Sequence, residues 1–480
     1  MHHCHQDEKQ DIHRIVILFY KYFSSIELNE SDVSQMQIFQ QSLCTKLNLK
    51  GRILLSNEGI NGSLSASSDE VVDQYIHEME QFGINNSDHA NTTKNLRSEN
   101  RNARYVFRNI DWKRSVVEEE LASQIKTPFP DLKISIQNEI VSTGNVIIVS
   151  ELSKWGGMHL GPEEFHKVLL SYASKDDDES DGQNKKELVL IDVRNTFEYA
   201  IGRFSDGNNH DALNPRMTSF SSFDTSFCAK KAQELKDKKI LMYCTGGIRC
   251  EKASVMLKKR GVHDVSQLSG GIHRYLEKYG SQGFFKGKNF VFDQRVALPS
   301  SKCLITPLNH HISSHANVSN HDEDTIVGQC VECSCPYDDI SGSRLCTVCR
   351  DLVLVCRSCQ NKLYEYHCEQ HSNWKLCYFT FLDKFSLTDL HQQIHDLETI
   401  ISTNPNQNKK VKTDSNISFI SRNVRKTLTK QIEKVRLQIS KIESGQTIPN
   451  PNAAKRCRTC FLSMDDGECD GLCWGFWKKK

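Results

Sequence analysis

The chain has 480 residues, in which 61 Lys and Arg balance 60 Asp and Glu, so the formal net charge is +1. This length has room for about three domains of roughly 150 residues each, and the neutral charge balance points to no particular partner. No apolar run reaches the roughly 20 residues that a membrane span needs, and the start, MHHCHQDEKQ, lacks the apolar stretch of a signal peptide. The sequence therefore predicts a soluble, cytoplasmic protein without a membrane partner.

The 19 cysteines are unevenly distributed. Nine lie between Cys330 and Cys377 and four between Cys457 and Cys473, so most of them fall in two short C-terminal segments. A reducing compartment disfavours disulfides. The spacing of the cysteines therefore has to show which of them are metal ligands, reactive thiols or core residues.

Four polar stretches rich in Asn, Ser and charge divide the chain, and they begin at Asn85, Ser174, Asn309 and Ser402. Such a composition is typical of solvated loops and linkers. The first two are interpreted as insertions within domains and the last two as domain boundaries.

The first predicted domain covers residues 12–150 and mixes strands with helices. Its predicted order is a strand (RIVILFYKYF), a helix (SDVSQMQIFQQSLCTKLN), two strands (GRILLSN and GSLSAS), a helix (SDEVVDQYIHEMEQF) and two strands (ARYVFRNIDW and LKISIQNEIV). Ser-Asp at each helix start is a good N-terminal cap, and Asn61-Gly62 between short strands predicts a hairpin turn. This order predicts a ferredoxin-like α+β fold, which is compatible with RNA binding but does not demonstrate it.

In the second predicted domain, residues 160–284, wholly apolar strands alternate with helices. The strands ELVLIDV and KKILMYC alternate with the helices PEEFHKVLL, KKAQELKD and GIRCEKASVMLKKRG, and VSQLSGGIHRYLEKYG adds a strand, a turn and a helix. This alternation predicts an α/β domain with a parallel sheet covered on both faces. Ligands of such sheets bind at the carboxyl ends of the strands.

One of these strands ends at Cys244, which is followed by two glycines, Arg249 and a helix. The glycines let backbone N–H groups turn inward, and with the helix N-terminus they predict an anion-binding nest around the sulfur. A thiolate in such a nest has a lowered pKa and is nucleophilic. The alternative, a buried core cysteine, is disfavoured by the Gly-Gly-x-Arg pattern.

The segments LVLIDVRNTFEYAIGRF, CTGGIR and QLSGGIHRYL resemble a rhodanese domain, in which a loop cysteine carries sulfur as a persulfide. Four residues separate Cys244 from Arg249, whereas cysteine phosphatases place five there, so the loop favours a sulfur-sized anion over phosphoryl transfer. With GRILLSNEGINGSLS, GKNFVFDQR and the paired cysteines beyond Cys330, residues 12–375 are similar to the rhodanese-containing tRNA uridine hydroxylases. Eukaryotic members are often labelled thiosulfate sulfurtransferase/rhodanese-like domain proteins.

This resemblance implies conversion of a wobble uridine to 5-hydroxyuridine, with tRNA as partner and molecular oxygen as co-substrate. No nucleotide cofactor and no DNA partner are indicated. Cys244 matches the essential cysteine of the family, and Cys250 matches a second cysteine whose role, resolving or structural, is open. The other residues that match the active-site loop are Thr245, Gly246, Gly247, Ile248 and Arg249.

Two further matches lie outside the loop. Asp192 and Arg194 match the rhodanese aspartate-arginine pair that supports it, although a strand-end salt bridge is an equally good interpretation. Glu58 and Asn61 belong to the hallmark of the first domain and are candidate RNA contacts, with a plain hairpin turn as the alternative.

The predicted segment 326–380 contains four chelating pairs: Cys330 and Cys333, Cys346 and Cys349, Cys356 and Cys359, and Cys368 and His371. Two-residue spacing lets one turn present both ligands to a tetrahedral ion, so four pairs suffice for two structural zinc ions. The pairs could be used in sequence or cross-braced, the first with the third and the second with the fourth. Free cysteines or redox pairs are the alternative.

Two C-terminal features remain. Residues 455–477 form a second, smaller cluster that fits one more zinc, with the ligands Cys457, Cys460, Cys469 and Cys473. Residues 386–445 are predicted to be a basic helical region, whose candidate contacts to RNA phosphates are Arg422, Arg425, Lys426 and Lys430. A solvated or self-associating helix is the alternative.

Three functions follow from these features. The leading one is a tRNA uridine hydroxylase that reacts through Cys244. The second is a thiosulfate sulfurtransferase or persulfide carrier, in which Cys244 accepts sulfur from a small donor. The third is a zinc-stabilised interaction protein with an inert rhodanese fold, which the intact cysteine loop disfavours, whereas the first domain and the zinc segment disfavour a minimal sulfurtransferase.

Overall fold

The structure is a computed structural model that describes residues 12–24, 26–84, 104–118, 125, 127–173, 186–208, 210–217, 219–300, 326–342, 344–346, 351–362, 366–369, 382, 387–403 and 422–446. The chain divides into two compact units, Met1–Thr325 and Ile326–Lys480. None of the described helices is both long enough and apolar enough to cross a membrane.

The strands of the first unit are β1 (Ile15–Tyr22), β2 (Lys50–Ser56), β3 (Gly59–Ala66), β4 (Lys113–Val116), β5 (Leu132–Ile136), β6 (Met158–Leu160), β7 (Leu188–Asp192), β8 (Gly202–Phe204), β9 (Lys239–Tyr243), β10 (Val265–Leu268), β11 (Phe285–Phe290) and β12 (Ala297–Pro299). Its helices are α1 (Glu30–Lys46), α2 (Asp69–Gln81), α3 (Ser150–Trp155), α4 (Pro162–Ala173), α5 (Thr196–Ile201), α6 (Ala229–Leu235), α7 (Ile248–Lys259) and α8 (Gly271–Tyr279). The helices of the second unit are α9 (Arg357–Lys362), α10 (Leu387–Thr403) and α11 (Arg422–Glu443).

The first domain contains a five-stranded sheet in the order β4-β1-β3-β2-β5. Strands β4, β1, β3 and β2 pair antiparallel, and β5 adds to β2 in parallel. Helices α1 and α2 pack on the sheet and enclose an apolar core around Phe19, Met36 and Tyr75. The chain order β1-α1-β2-β3-α2-β4 with this strand order confirms the predicted ferredoxin-like, or acylphosphatase-like, α+β fold.

The hairpin between β2 and β3 turns at Asn57 and Glu58, so the turn predicted at Asn61-Gly62 was wrong. Both residues lie within β3, paired with β1 on one side and β2 on the other. A Cβ atom added to Gly62 would come within 2.3 Å of the Phe19 ring. The glycine therefore makes room for a neighbouring aromatic ring in the core and does not form a turn.

Two other local predictions differ from the structure. Helix α1 is capped by Asn29, not Ser31: the Asp32 amide donates to Asn29 Oδ1 at 3.0 Å, and the Asn29 amide donates to Asp32 Oδ2 at 3.1 Å. Of the segment ARYVFRNIDW, the described residues 104–112 contain an isolated bridge between Arg104 and Ile84 and a turn over 106–109, and β4 begins only at Lys113. Its apolar residues Val106 and Phe107 are buried in the core, so burial there does not require a strand.

The second domain contains a four-stranded sheet in the order β6-β10-β9-β7, in which every pair is parallel. Met242 belongs to the apolar cluster on one face, and Leu241 and Tyr243 belong to the cluster on the other. This arrangement confirms the predicted parallel sheet covered on both faces. A small antiparallel sheet of β12, β11 and β8 lies beside it.

In the second unit, α10 and α11 pack along each other. Leu397 of α10 and Leu428 of α11 share one buried cluster with Cys330, Cys346 and Cys356. The helix pair and the cysteine-rich segment therefore form a common core.

Candidate active site and metal centre

Cys244 follows β9 at the carboxyl end of the parallel sheet and is completely buried. Gly247 caps α7 with a φ of +101°, a backbone conformation that favours glycine. This conformation turns the Gly247 amide inward, where it donates to Cys244 Sγ at 3.2 Å. The loop therefore has the geometry of the anion nest expected from its two glycines.

The surroundings of Cys244 favour the thiolate. Burial alone raises the pKa of Cys244, but a hydrogen bond from the Cys250 thiol, the charge of Arg249 and backbone hydrogen bonds outweigh it and lower the pKa to about 6. Burial and the same contact with Cys244 raise the pKa of Cys250. At neutral pH, Cys244 is thus the charged acceptor and Cys250 the protonated donor, which makes Cys244 the nucleophile of the pair.

Arg249 is held in place by a buried carboxylate that sequence analysis missed. Its Nη1 donates to Glu198 Oε2 at 2.7 Å and its Nη2 to Glu198 Oε1 at 2.8 Å. Thr245 Oγ1 donates to the same carboxylate at 3.2 Å. Burial raises the pKa of Glu198, but the charge of Arg249 prevails and lowers it. Glu198 lies in α5, within the segment FEYAIGRF, and no local spacing signals its contact with a loop 51 residues away.

Asp192 and Arg194 form a fully buried pair at the end of β7. Arg194 Nη2 donates to Asp192 Oδ2 at 2.6 Å and to the Gly202 carbonyl oxygen at 2.5 Å. This is the geometry of a strand-end salt bridge, and support of the cysteine loop by the pair stays a prediction.

The first domain covers the glycines of the cysteine loop. A Cβ atom on Gly246 would come within 3.0 Å of Leu18 Cδ2, and one on Gly247 within 2.9 Å of Tyr20 Oη. Lys113 of β4 is also buried there, with its Nζ 5.3 Å from the Tyr20 ring centre. Strands β1 and β4 therefore form a wall against the cysteine loop, although sequence analysis assigned these residues no role.

A buried lysine of α7 also joins the two domains. Lys252 Nζ donates to Glu58 Oε1 at 2.9 Å and to Glu139 Oε1 at 2.8 Å. Asn61 lies nearby and donates from Nδ2 to the Ile140 carbonyl oxygen at 3.2 Å. The structure thus places Glu58 and Asn61 at the domain junction, and their proposed RNA contacts stay predictions.

Four cysteines of the second unit, Cys330, Cys333, Cys356 and Cys359, bring their sulfur atoms within 4.8 Å of one another. Cys333 Sγ and Cys356 Sγ are 3.6 Å apart. Four thiolates at the usual Zn–S distance would be separated by about 3.8 Å around a tetrahedral ion. The cluster can therefore hold a metal ion, and it joins the first chelating pair with the third, as the cross-braced alternative expects.

The remaining metal predictions are only partly described. Cys346 and Cys368 belong to the second and fourth pairs, and Cys346 pairs by a parallel bridge with Tyr366. Cys349 and His371 lie outside the described residues. The second, smaller cluster also lies outside them, with the ligands Cys457, Cys460, Cys469 and Cys473.

The predicted basic helix is α11. Lys426 and Lys430 are exposed on it, whereas Arg425 is half-buried and donates from Nη2 to the Ile401 carbonyl oxygen at 3.2 Å. Arg422 begins the helix, and its side chain lies outside the description. RNA contact by these four residues stays a prediction.

Family models match three consecutive parts of the chain. Residues 14–140 match the UPF0176 acylphosphatase like domain, residues 177–278 match the rhodanese-like domain, and residues 286–373 match the rhodanase C-terminal region. The first match covers the five-stranded sheet, and the second covers β7, β9 and β10 of the parallel sheet. The third ends within the cysteine-rich segment.

Curated relatives extend across these regions. A "tRNA uridine(34) hydroxylase" of Arthrobacter sp. is 31% identical over 363 residues, which are 74% of this chain and 97% of the relative. "Rhodanese-like domain-containing protein 6" of Arabidopsis thaliana is 34% identical over 380 residues, 76% of this chain, and the chain spans only 55% of that relative.

Among solved structures, a rhodanese-related protein from Thermoplasma volcanium is 19% identical, with 25% of this chain and 92% of that chain covered and a TM-score of 0.18, too low to carry an argument. The family models and the nearly full-length coverage of the bacterial relative confirm the resemblance found in the sequence. The chain therefore belongs to the rhodanese-domain family whose members are named tRNA uridine(34) hydroxylase.

Proposed function

We propose that this protein hydroxylates uridine 34 of tRNA to 5-hydroxyuridine, with molecular oxygen as co-substrate and Cys244 as the reacting group. The observation that carries the proposal is the buried Cys244, whose sulfur accepts a hydrogen bond from the Gly247 amide at 3.2 Å. Its neighbours Cys250 and Arg249 lower the pKa of Cys244 to about 6, which favours the thiolate at neutral pH. It lies in a chain that aligns with nearly the whole of a relative named for this reaction.

The residues around Cys244 have separate roles in this proposal. Cys244 supplies the nucleophile, and the Gly247 amide and Arg249 stabilise negative charge that develops near the sulfur. Glu198 fixes the orientation of the Arg249 guanidinium through two hydrogen bonds. Enclosure of the sulfur excludes water and strengthens these interactions.

The second unit has a structural role in the same proposal. The described four-cysteine cluster holds one zinc ion, and a second ion takes Cys346, Cys349, Cys368 and His371. Closed four-ligand sites are structural, so the chemistry stays at Cys244. We further propose that Lys426 and Lys430 on α11 bind tRNA phosphates, since both are exposed. The proposed location of the protein is the cytoplasm.

The decisive test is the nucleoside profile of tRNA, measured by mass spectrometry in cells that lack the gene. We expect 5-hydroxyuridine and its derivatives to disappear, to return with the wild-type gene, and not to return with Cys244→Ser. Cys228→Ser is the matched control because Cys228 is equally buried in the same apolar cluster. An unchanged profile without the gene, or full rescue by Cys244→Ser, would contradict the proposal.

A sulfurtransferase is the second candidate, and the short loop between Cys244 and Arg249 favours it because the nest suits a sulfur-sized anion. In that case purified protein would take sulfur from thiosulfate and pass it to cyanide or a thiol, and the tRNA profile would not depend on the gene. The two assays together separate the two functions.

A further inference from the structure

Phe292 lies in the turn after β11 and presents 60% of its side chain to solvent. Among the large apolar side chains that the structure describes as exposed, Phe292 is the one aromatic residue, and the others are aliphatic. A single exposed apolar residue is normal on a protein surface, and one ring is too small for a stable protein interface. Any role of Phe292 therefore follows from what lies next to it.

The ring of Phe292 lies beside the cysteine loop. The Arg249 guanidinium carbon is 5.9 Å from the centre of the Phe292 ring, and Arg249 ends the loop that begins at Cys244. Thr245 and Arg249 keep small exposed fractions of 7% and 8%, whereas Cys244 has none. The exposed ring therefore stands where a molecule approaching the loop from solvent would meet it.

The turn that carries Phe292 is held firmly. Asp293 and Arg295 form a nearly buried ion pair, with Arg295 Nη2 donating to Asp293 Oδ2 at 2.7 Å. Arg295 Nη1 also donates to Ser115 Oγ at 2.9 Å, which ties the turn to the first domain. Phe290 packs edge-on against the Phe292 ring at 5.1 Å. The ring is therefore positioned before any ligand binds.

Aromatic rings and arginine guanidinium planes are the surfaces on which unpaired RNA bases stack. An enzyme whose reacting atom is buried has to take its target base out of the surrounding stack, and it then replaces the lost stacking with its own side chains. Cys244 is completely buried, so a uridine that reacts with it needs such a replacement close to the loop. Phe292 is an exposed aromatic ring next to Arg249 of that loop.

We propose that Phe292 is a substrate-binding residue, on whose exposed face the base of the target nucleotide of a single-stranded RNA loop stacks next to Arg249. This inference rests on the proposed function, because it takes uridine 34 as the base concerned.

The test is a coupling measurement between Phe292 and base 34. All proteins carry Cys244→Ser so that binding is measured without turnover, and the ligand is a tRNA anticodon stem-loop with uridine, or with an abasic site, at position 34. We expect Phe292→Ala to weaken binding of the uridine-containing RNA about tenfold or more. Because the abasic RNA has no base to stack, Phe292→Ala should leave its already weaker binding unchanged.

Further variants separate stacking from folding and from bulk. Phe292→Trp should retain the affinity, whereas Phe292→Leu, which keeps apolar packing on Phe290, should lose most of it. Ile38→Ala is the matched control, because Ile38 is 70% exposed on α1 and should have no effect. An abasic site at position 36 should leave the effect of Phe292→Ala intact.

Three results would overturn the proposal. Phe292→Ala could leave the affinity for the uridine-containing RNA unchanged, it could weaken the uridine-containing and the abasic RNA equally, or neither protein could bind the uridine-containing RNA. Failure of the proposed function is recognised separately, by a tRNA nucleoside profile that does not depend on the gene. If that profile depends on the gene but cells complemented with Phe292→Ala make as much 5-hydroxyuridine as those with Ile38→Ala, only the stacking role is refuted.

Discussion

Replacing Lys252 with methionine should destabilise the first unit strongly. The Lys252 side chain is completely buried, and its ammonium group bonds two carboxylates, Glu58 at 2.9 Å and Glu139 at 2.8 Å. Methionine keeps most of the apolar volume but leaves both carboxylates without their cation. Removing one partner of a buried ion pair costs about 3–5 kcal/mol, and we expect a loss of that size in the free energy of unfolding.

The measurement is guanidinium unfolding of the full chain, followed by circular dichroism and compared between variants at one pH. Lys259→Met is the matched control, because Lys259 lies on the same helix and bonds Glu151 at 2.7 Å, but with 41% of its side chain exposed. Exposed pairs contribute about 0–1 kcal/mol. If Lys252→Met cost no more than Lys259→Met, the buried cluster would not be what holds the domains together.

The pH dependence of unfolding gives a second, independent test of the Lys252 prediction. Burial raises the pKa of Glu139, but hydrogen bonds from Lys252, Thr143 and the Asn145 amide outweigh burial and lower the pKa from 4.5 to about 2. In the wild type, Glu139 therefore contributes stability that is lost as the pH falls from 4.5 towards about 2. In Lys252→Met, protonation instead relieves two uncompensated carboxylates. The stability difference between the two proteins should shrink as the pH falls, and a constant or growing difference would refute the charge argument.

Two further predictions concern the cysteines. Alkylation of Cys244 should follow a titration with a midpoint near its pKa of about 6, and Cys250→Ala should move that midpoint to higher pH because it removes a hydrogen-bond donor to the thiolate. Cys228→Ala, which removes a buried thiol elsewhere in the core, should leave the midpoint unchanged. If Cys250→Ala also left the alkylation midpoint of Cys244 unchanged, Cys250 would not be the hydrogen-bond donor. Cys356→Ser should lose about one equivalent of bound zinc by elemental analysis, since it removes one of four tetrahedral ligands, whereas Cys44→Ser should lose none; an equal zinc content in both variants would exclude the four-cysteine site.

The parts of the fold and site that could be predicted are those that depend on short, continuous segments of the sequence. Apolar strands alternating with helices predicted the parallel sheet, because period and composition are properties of a single segment. The cysteine loop was predictable for the same reason: Cys244, the two glycines after it and Arg249 lie within six consecutive residues. Each of these signals needs no knowledge of what the segment packs against.

The parts that could not be predicted depend on contacts between distant segments. Glu198 is 51 residues from Arg249 in sequence, and Tyr20 is 231 residues from Glu251, to which its hydroxyl donates at 3.1 Å. Nothing in the composition of β1 distinguishes Tyr20 from other half-buried aromatic residues of a strand. Its place over the cysteine loop is decided only when the two domains pack together.

The wrong hairpin turn shows how a tertiary contact overrides a local preference. Asn61-Gly62 has the composition of a tight turn, yet Gly62 is needed inside β3 because the Phe19 ring occupies the space of a side chain there. The chain turns instead at Asn57 and Glu58, and Glu58 is buried against Lys252. A residue in a two-residue turn is usually solvated, so its burial follows from the charge that the second domain supplies.

The same contacts make the first domain part of the candidate active site. Leu18 and Tyr20 of β1 lie over Gly246 and Gly247, so the cysteine loop is complete only when the domains are joined. The wall of β1 and β4 keeps water from the sulfur, which strengthens the hydrogen bond from the Gly247 amide and the charge interaction with Arg249. The packing of the two domains therefore helps to set the environment of Cys244, and a rhodanese domain alone would lack this part of the site.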